Sequence, residues 1–419
     1  MEQQTIRRLD ALMGKALCYL LTRHRHRVEP PLPSDQPVRS VVFLKLIEQG
    51  ATVLAEPAIR AAVERVGAEN VYFCVFPENR HILDLLGLIP KQNVLELRHD
   101  NVVVFARDAL SAIRRLRTLK VDAVIDMEFM ARAPAILAYL IGAPVRVGLH
   151  RFTAEAPYRG DLMTHRVQYS PYLHTSLAYL LLVEALDCDP ADLPLLKVPA
   201  DRPELDPPRF VATAAEQAEV RALLDAEAGR PTGRLVLLNP NTGDLLPRRL
   251  WPIDRMVELG RRLLAEEPDI TLVLTGAPSE REGALAVRER ILAELDPSLA
   301  GRVVCMAGRT SLRQVFVLYT LGAVLVTNDS GPGHFASMTD IHNVVLFGPE
   351  TPALFGPLGR NRHVLTARLA CSPCVSPYNH RSSPCTDNLC MQAIQVAEVL
   401  GVVRQSLATA RSAERQEIV

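Results

Sequence analysis

Twice along the 419-residue chain, short apolar runs of strand length alternate with stretches of helical periodicity. That pattern restricts the fold to parallel sheets flanked by helices. In the first series strands are predicted at 41–44, 71–76, 94–95, 102–105 and 121–125, helices at 56–65, 109–119 and 134–141, and 145–148 closes it. Residues 200–234, rich in Pro, Ala and charge, interrupt the pattern. A second series then starts at 235–238, with helices at 253–266, 280–294 and 312–320 and strands at 270–274, 303–306, 323–326 and 343–347. The expected class is α/β: two Rossmann-like doubly wound domains facing a cleft. The expected division is an N-terminal helix and linker at 1–37, a first domain at 38–205, a second at 206–400 and a tail at 401–419. In open sheets of this kind ligands bind beyond the carboxyl ends of the strands, so residues just after each strand are the functional candidates.

Composition removes several classes. The chain has 47 basic and 47 acidic residues, so no global field draws it to nucleic acid, and aromatics at 5% are too few for a base-stacking platform. Eight scattered cysteines do not make a disulfide scaffold, and the first residues lack a signal peptide's apolar core and cleavage site. A cytoplasmic location is expected. The N-terminal segment places Ile6, Leu9, Leu12, Met13, Ala16, Leu17, Leu20 and Leu21 at helical spacing among Arg7, Arg8, Lys15, Arg23, Arg25 and Arg27. Such a basic amphipathic helix either lies on an anionic membrane, here the inner membrane surface, or packs on the body of the protein. Pro30, Pro31, Pro33 and Pro37 follow as a stiff linker.

The second series carries the denser set of polar loops. Asn239-Pro240-Asn241-Thr242-Gly243 follows the strand at 235–238, and Arg248-Arg249-Leu250-Trp251-Pro252 precedes a helix. Arginine suits a diphosphate because its planar fork makes two parallel charge-assisted hydrogen bonds. Thr275-Gly276-Ala277-Pro278-Ser279-Glu280 follows the next strand; Glu280 is placed to accept sugar hydroxyls, while Ser279 and Glu282 also read as a capping box. Gly308-Arg309-Thr310-Ser311-Leu312 opens another helix, with Thr310 or Ser311 as its cap. The most telling stretch is Asn328-Asp329-Ser330-Gly331-Pro332-Gly333-His334, a strand, a tight turn and a helix start. Free backbone N–H groups there favour a phosphate, and Asp329, Ser330 and His334 are placed to read the sugar beside it.

In order and spacing these segments, with Leu-Phe-Gly-Pro at 346–349, resemble glycosyltransferase family 9, the heptosyltransferase-like enzymes, over residues 38 to about 400. The resemblance implies the two-domain glycosyltransferase B architecture, with the acceptor side in the first domain and the nucleotide-sugar donor in the second. It implies transfer of a heptose-like sugar from a nucleoside-diphosphate donor to a lipopolysaccharide core, or a related lipid-linked or oligosaccharide acceptor, with inversion and with no required cofactor or metal. Arg249 matches a family basic residue at the donor phosphates, and Asp329, Ser330, Gly331 and His334 match the donor-binding turn. Asn239, Thr242 and Glu280 complete the donor set. Arg146-Val147-Gly148 and Thr164-His165-Arg166 are similar to further acceptor-side segments.

One departure concerns the base. In the family the first strand is followed by a Gly-Asp pair whose Asp takes the acceptor proton; here Ala51 stands where that Asp falls. Glu48, three residues upstream, is the substitute, unless it is a plain loop carboxylate. Asp126 and Glu128 end another strand of the same sheet, and Lys45 is expected to face phosphate or acceptor. Ala51 also motivates a rival reading, a catalytically degenerate scaffold that binds sugar nucleotide or glycan; a sugar-nucleotide epimerase is a second. Finally, Cys371, Cys374, Cys385 and Cys390, with His380 nearby, would suit a structural zinc, a packed thiol cluster or a redox-sensitive pair.

Overall fold

The computed structural model describes residues 10–30, 37–151, 159–199, 205–243, 246–379 and 381–417. Contacts divide the chain into two compact units, Met1–Leu205 and Asp206–Val419.

The first unit is built on β1 (Val41–Leu44), β2 (Val71–Val75), β3 (Val94–Glu96), β4 (Ala123–Asp126), β5 (Val145–His150) and β6 (His165–Gln168), in the spatial order β3-β2-β1-β4-β5-β6. The second uses β7 (Arg234–Asn239), β8 (Ile270–Leu274), β9 (Val303–Cys305), β10 (Gly322–Asn328), β11 (His342–Phe347) and β12 (Arg362–Thr366), in the order β12-β11-β10-β7-β8-β9. Every pairing is parallel. Counted from its own first strand each sheet has the order 3-2-1-4-5-6, and the order reverses between β1 and β4 and between β7 and β10. Those two switch points are where such sheets bind ligands.

Strands buried on both faces read as continuous apolar runs, and β1 and β8 are buried at every position. The core of the second unit gathers Val236, Leu238, Leu272, Leu274, Val326 and Leu346 around Trp251, the sole tryptophan, whose indole N–H donates to Ile394 O at 3.1 Å. The first unit packs Val42, Leu44, Cys74, Leu116, Val124 and Ala138 in the same manner.

Three sequence expectations change. The strand expected at 102–105 is the first turn of helix Val102–Leu119, because Asn101 caps it by accepting the Val104 N–H at 2.9 Å. Two edge strands, β6 and β12, extend the sheets beyond the expected series. The boundary expected at 400 falls inside helix Val396–Glu417, whose Val399, Leu400, Val403 and Leu407 are buried in the second unit's core, since its apolar spacing continues past that point. At the other end, helix Lys15–Val28 packs on the first unit through Cys18, with Thr22 Oγ1 accepting the Asp161 N–H at 2.9 Å and Arg25 Nη1 donating to Asp161 O at 2.7 Å. Pro31 and Pro33 of the expected linker, Ile6, Leu9 and His380 lie outside the described residues.

Candidate functional site

In the first unit the chain leaves β1 at Leu44, which pairs with Asp126 at the end of β4. Lys45 follows and is fully buried. Its ammonium donates to Ile47 O at 2.7 Å and lies 3.3 Å from Glu48 Oε2 and 3.2 Å from Glu128 Oε2. The other oxygen of Glu128 accepts the Leu46 and Ile47 N–H groups at 2.6 and 3.1 Å, so this carboxylate stitches the turn after β1 to the end of β4. Asp126 stands behind it, accepting the Glu128 N–H at 3.0 Å and paired with Arg159. Burial pushes the Asp126 carboxyl up to about 6 against the lowering pull of Arg159. Of the three residues singled out here as catalytic, Lys45 and Glu48 are thus in contact, and Asp126 supports them through Glu128.

Glu48 differs from its neighbours. Its φ is 72°, in the region that favours glycine, and it sits immediately before helix Gln49–Leu54, where its carbonyl accepts the Thr52 N–H at 3.1 Å. Ala51 lies in the first turn of that helix. The basic residues expected to meet an acceptor are otherwise committed: Arg146 is 2% exposed and donates to Leu162 O, Ala143 O and Glu29 Oε2, and His165 bridges to Thr164 and Cys188 O.

In the second unit Asp329 and Ser330 follow β10, and Gly331 opens the short helix Gly331–Ala336, which carries His334 in a buried position. Asp329 is 2% exposed. Arg249, on the turn Pro247–Arg249, places Nη1 3.6 Å from Asp329 Oδ2 and 3.4 Å from Glu350 Oε2, and Arg381 Nε lies 3.0 Å from Glu350 Oε1. Two buried carboxyls and two guanidiniums therefore meet at the carboxyl ends of β10 and β11. Burial raises the Asp329 carboxyl, with Arg249 opposing, and burial followed by the charge of Asp329 pushes Glu350 up to about 8.

The remaining donor candidates divide. Ser330 Oγ donates to Asn328 O at 3.1 Å, fixing the turn. Asn239 is buried and spends its side chain on Thr275 Oγ1 and the Asn241 N–H, tying β7 to β8. Thr242 donates to Gly243 O. Glu280 accepts the Ala277 N–H at 2.7 Å, so it caps its own turn, in place of the Ser279–Glu282 box; Ser311, with Gln314, does cap the next helix.

The cysteines do not gather as a zinc site. Among the described residues no group of three or more His, Cys, Asp or Glu is placed to hold a metal ion. Cys374 Sγ bonds to Ser383, Cys385 Sγ lies against Asp387, Cys371 is exposed and Cys390 is buried. Their segment instead buttresses the turn Pro247–Arg249: Arg248 Nε donates to Cys385 O at 2.7 Å and Asn388 Nδ2 to Leu250 O at 3.3 Å.

The family model described as glycosyltransferase family 9 (heptosyltransferase) matches residues 109–382, more than half of the chain. The chain belongs to glycosyltransferase family 9. The lipopolysaccharide heptosyltransferase 2 of Salmonella typhimurium is 32% identical over 119 residues, 28% of this chain and 32% of that protein. Lipopolysaccharide heptosyltransferase 1 of Pseudomonas aeruginosa is 27% identical over 265 residues, 62% of this chain and 64% of its own length. The chain thus spans about a third of the first relative and just under two thirds of the second. Among solved structures, the ADP-heptose lipopolysaccharide heptosyltransferase II of Escherichia coli superposes with a TM-score of 0.63 at 18% identity, covering 89% of this chain and 99% of that one. The fold is the two-domain glycosyltransferase B architecture of these heptosyltransferases.

Within this family 9 chain, Glu350, Arg381 and Arg159 are the charged residues that the loop-by-loop reading passes over. A signal for Glu350 existed: it directly follows the Gly-Pro of the 346–349 segment, at the end of the strand beside β10. Arg381 and Arg159 arrive from irregular segments, where no periodicity marks their place.

Proposed function

We propose that this family 9 member is a glycosyltransferase that moves a heptose-like sugar from a nucleoside diphosphate, ADP by analogy with the E. coli neighbour's ADP-heptose, to a lipopolysaccharide core or related glycan. The observation that carries the reading is the buried Arg249–Asp329–Glu350 cluster at the switch point of the second sheet, a charged group of the kind a diphosphate sugar requires. The acceptor oxygen attacks the anomeric carbon, the bond from that carbon to the diphosphate oxygen breaks, and the electron pair leaves with ADP. Glu48 takes the acceptor proton, and Lys45, held by Glu128, keeps the Glu48 carboxylate oriented. A single displacement inverts the anomeric centre and needs no metal in this scheme.

The test is ADP release and product stereochemistry with ADP-heptose and a core oligosaccharide, with and without chelator. Glu48→Gln is expected to lower kcat about 10²- to 10⁴-fold while ADP affinity stays near wild type. Asp329→Ala is expected to lose ADP affinity. Ala51 supports one rival, a binding scaffold without turnover; ADP binding with no turnover on any acceptor would establish it. A donor isomerised in the absence of acceptor would point instead to epimerase chemistry.

The proposal extends to location. No described helix is long and apolar enough to cross a membrane. The turn Asp10–Gly14 and helix Lys15–Val28 nevertheless leave Leu12, Met13, Leu17 and Leu20 exposed, beside exposed Arg23 and Arg27, while the opposite face packs on the first unit. An apolar face flanked by arginines fits an anionic lipid surface, which would hold the enzyme beside a lipid-linked acceptor. Sedimentation with anionic vesicles should retain the protein, and Leu17→Glu with Leu20→Glu should release it; equal retention of both would remove the membrane from the reading.

A further inference from the structure

A cavity of about 360 Å³ opens at the carboxyl ends of β11 and β12, and Glu350 of the donor cluster forms part of its wall. That volume lies at the small end of ligand pockets, which run from roughly 300 to 1,000 Å³, and suits one sugar ring better than a nucleotide. Both Glu350 oxygens already face guanidiniums, Oε2 at 3.4 Å from Arg249 Nη1 and Oε1 at 3.0 Å from Arg381 Nε. Glu350 therefore brings little uncompensated charge to the cavity. Arg368 brings a whole one: it is exposed, and among the described residues its guanidinium has no hydrogen bond or ion pair. The turn that presents it is specific, with φ at 49°, uncommon for a residue with a side chain, and with the Arg368 N–H donated to Thr366 Oγ1 at 3.3 Å. Thr351 Oγ1 likewise accepts the Ala353 N–H at 3.3 Å, so among the described residues both threonines keep a hydroxyl hydrogen to donate. Ser372 donates its own to Gly348 O and keeps lone pairs to accept. Pro352, Leu369 and Pro373 complete the wall with apolar surface.

We propose that this cavity is a saccharide subsite contiguous with the donor cluster, and that it takes one sugar ring bearing a carboxylate or a phosphate. A sugar ring has an apolar face of C–H groups and a rim of hydroxyls that both donate and accept. The two prolines and Leu369 match the face, and the threonines and Ser372 match the rim. The anion pairs with Arg368, whose planar fork makes two parallel charge-assisted hydrogen bonds to a carboxylate or phosphate. A neutral sugar would leave that guanidinium unused, and a bare ion would leave the hydroxyls and the apolar wall unused. The inference rests on the donor reading for one point, that a sugar held here lies beside the one being transferred and is therefore an acidic unit of the acceptor glycan.

The experiment is saturation-transfer NMR titration of the full chain with glucuronate and with glucose 6-phosphate, and ADP is titrated into a parallel sample. Glucose serves as the neutral ring, and inorganic phosphate, read by displacement, as the bare anion. At least one charged sugar should bind about tenfold or more tightly than glucose or phosphate, and the tighter of the two names the anion. Arg368→Glu should weaken it by about tenfold or more. Thr366→Val, which removes a hydroxyl and keeps a similar shape, should weaken it several-fold, and it carries the test if near-ultraviolet circular dichroism shows that Arg368→Glu does not fold. Glucose or phosphate binding as tightly as the charged sugars would overturn the proposal, as would charged-sugar binding untouched by both substitutions. ADP binding with no charged-sugar binding would overturn it too and leave the donor reading standing. Charged-sugar binding that Arg368→Glu abolishes, in a protein that does not bind ADP, would establish the subsite and remove the donor reading.

Discussion

Glu48 carries a backbone conformation, φ 72° and ψ 90°, that costs a side-chain-bearing residue about 1–3 kcal/mol and persists only where its surroundings hold it. Here the holding is visible: Lys45, itself fully buried, pairs with Glu48 on one side and Glu128 on the other, and the helix Gln49–Leu54 starts from the Glu48 carbonyl. The local sequence shows a carboxylate on a loop after a strand; it does not show that a lysine three residues earlier is sequestered from water and must be neutralised. The same scale explains Gly348. A Cβ there would meet Cys390 Sγ at 2.9 Å and Met391 Sδ closer still, and both residues are buried. Gly348→Ala should therefore cost about 1–3 kcal/mol in chemical denaturation, and because Glu350 is two residues on, weaken ADP binding as well. Unchanged stability would mean that the segment carrying Cys390 and Met391 shifts freely.

At the scale of elements, the helix Val102–Leu119 begins in Val-Val-Val, which reads as strand by β-branched content. A single cap reverses that reading. Asn101 accepts the Val104 N–H, and the chain that follows buries Ala109, Ala112, Ile113 and Leu116 on one face. Asn101→Ala should destabilise the first unit by about 1 kcal/mol, measured as a lower denaturation midpoint, while leaving ADP affinity in the second unit unchanged. The missed strands β6 and β12 are edge strands of four and five residues with polar positions, His165, Arg166, Arg362 and His363. Pairing to β5 and β11 makes them strands; their own apolar pattern is too weak to announce it. The eight interior strands of the two sheets were legible because burial on both faces demands a nearly uninterrupted apolar run.

For the whole molecule, the buried carboxyls set a dependence of stability on pH. Asp126 is raised to about 6 and Glu350 to about 8, so the folded state binds protons that the unfolded chain has already released. Stability should then fall as pH rises from the ordinary carboxylate range through those two values, the reverse of the usual carboxylate behaviour. Burial lowers His150 to about 4 and also lowers His165, His342 and His363, and these groups add stability as pH rises toward about 6.5, so the decline in Tm should show between about pH 7 and pH 8, where Glu350→Gln should flatten it. A Tm that rises between about pH 7 and pH 8 would show that Glu350 ionises normally in the fold. The repeated strand order also explains why the candidate residues cluster as they do: Lys45, Glu48 and Glu128 gather where the first sheet reverses, and Arg249 and Asp329 where the second does.

By itself the sequence determined the two parallel sheets, the turn that carries Asp329, and the family resemblance, because each is written in residues close together along the chain. Only the tertiary structure decided which charges meet. Arg249, Asp329, Glu350 and Arg381 are separated by up to 132 positions, and Lys45 and Glu128 by 83, so no local pattern couples them. The burial that raises Glu350 and the partner that holds Glu48 are properties of the packed interior, where removal of water makes each charge depend on its neighbours.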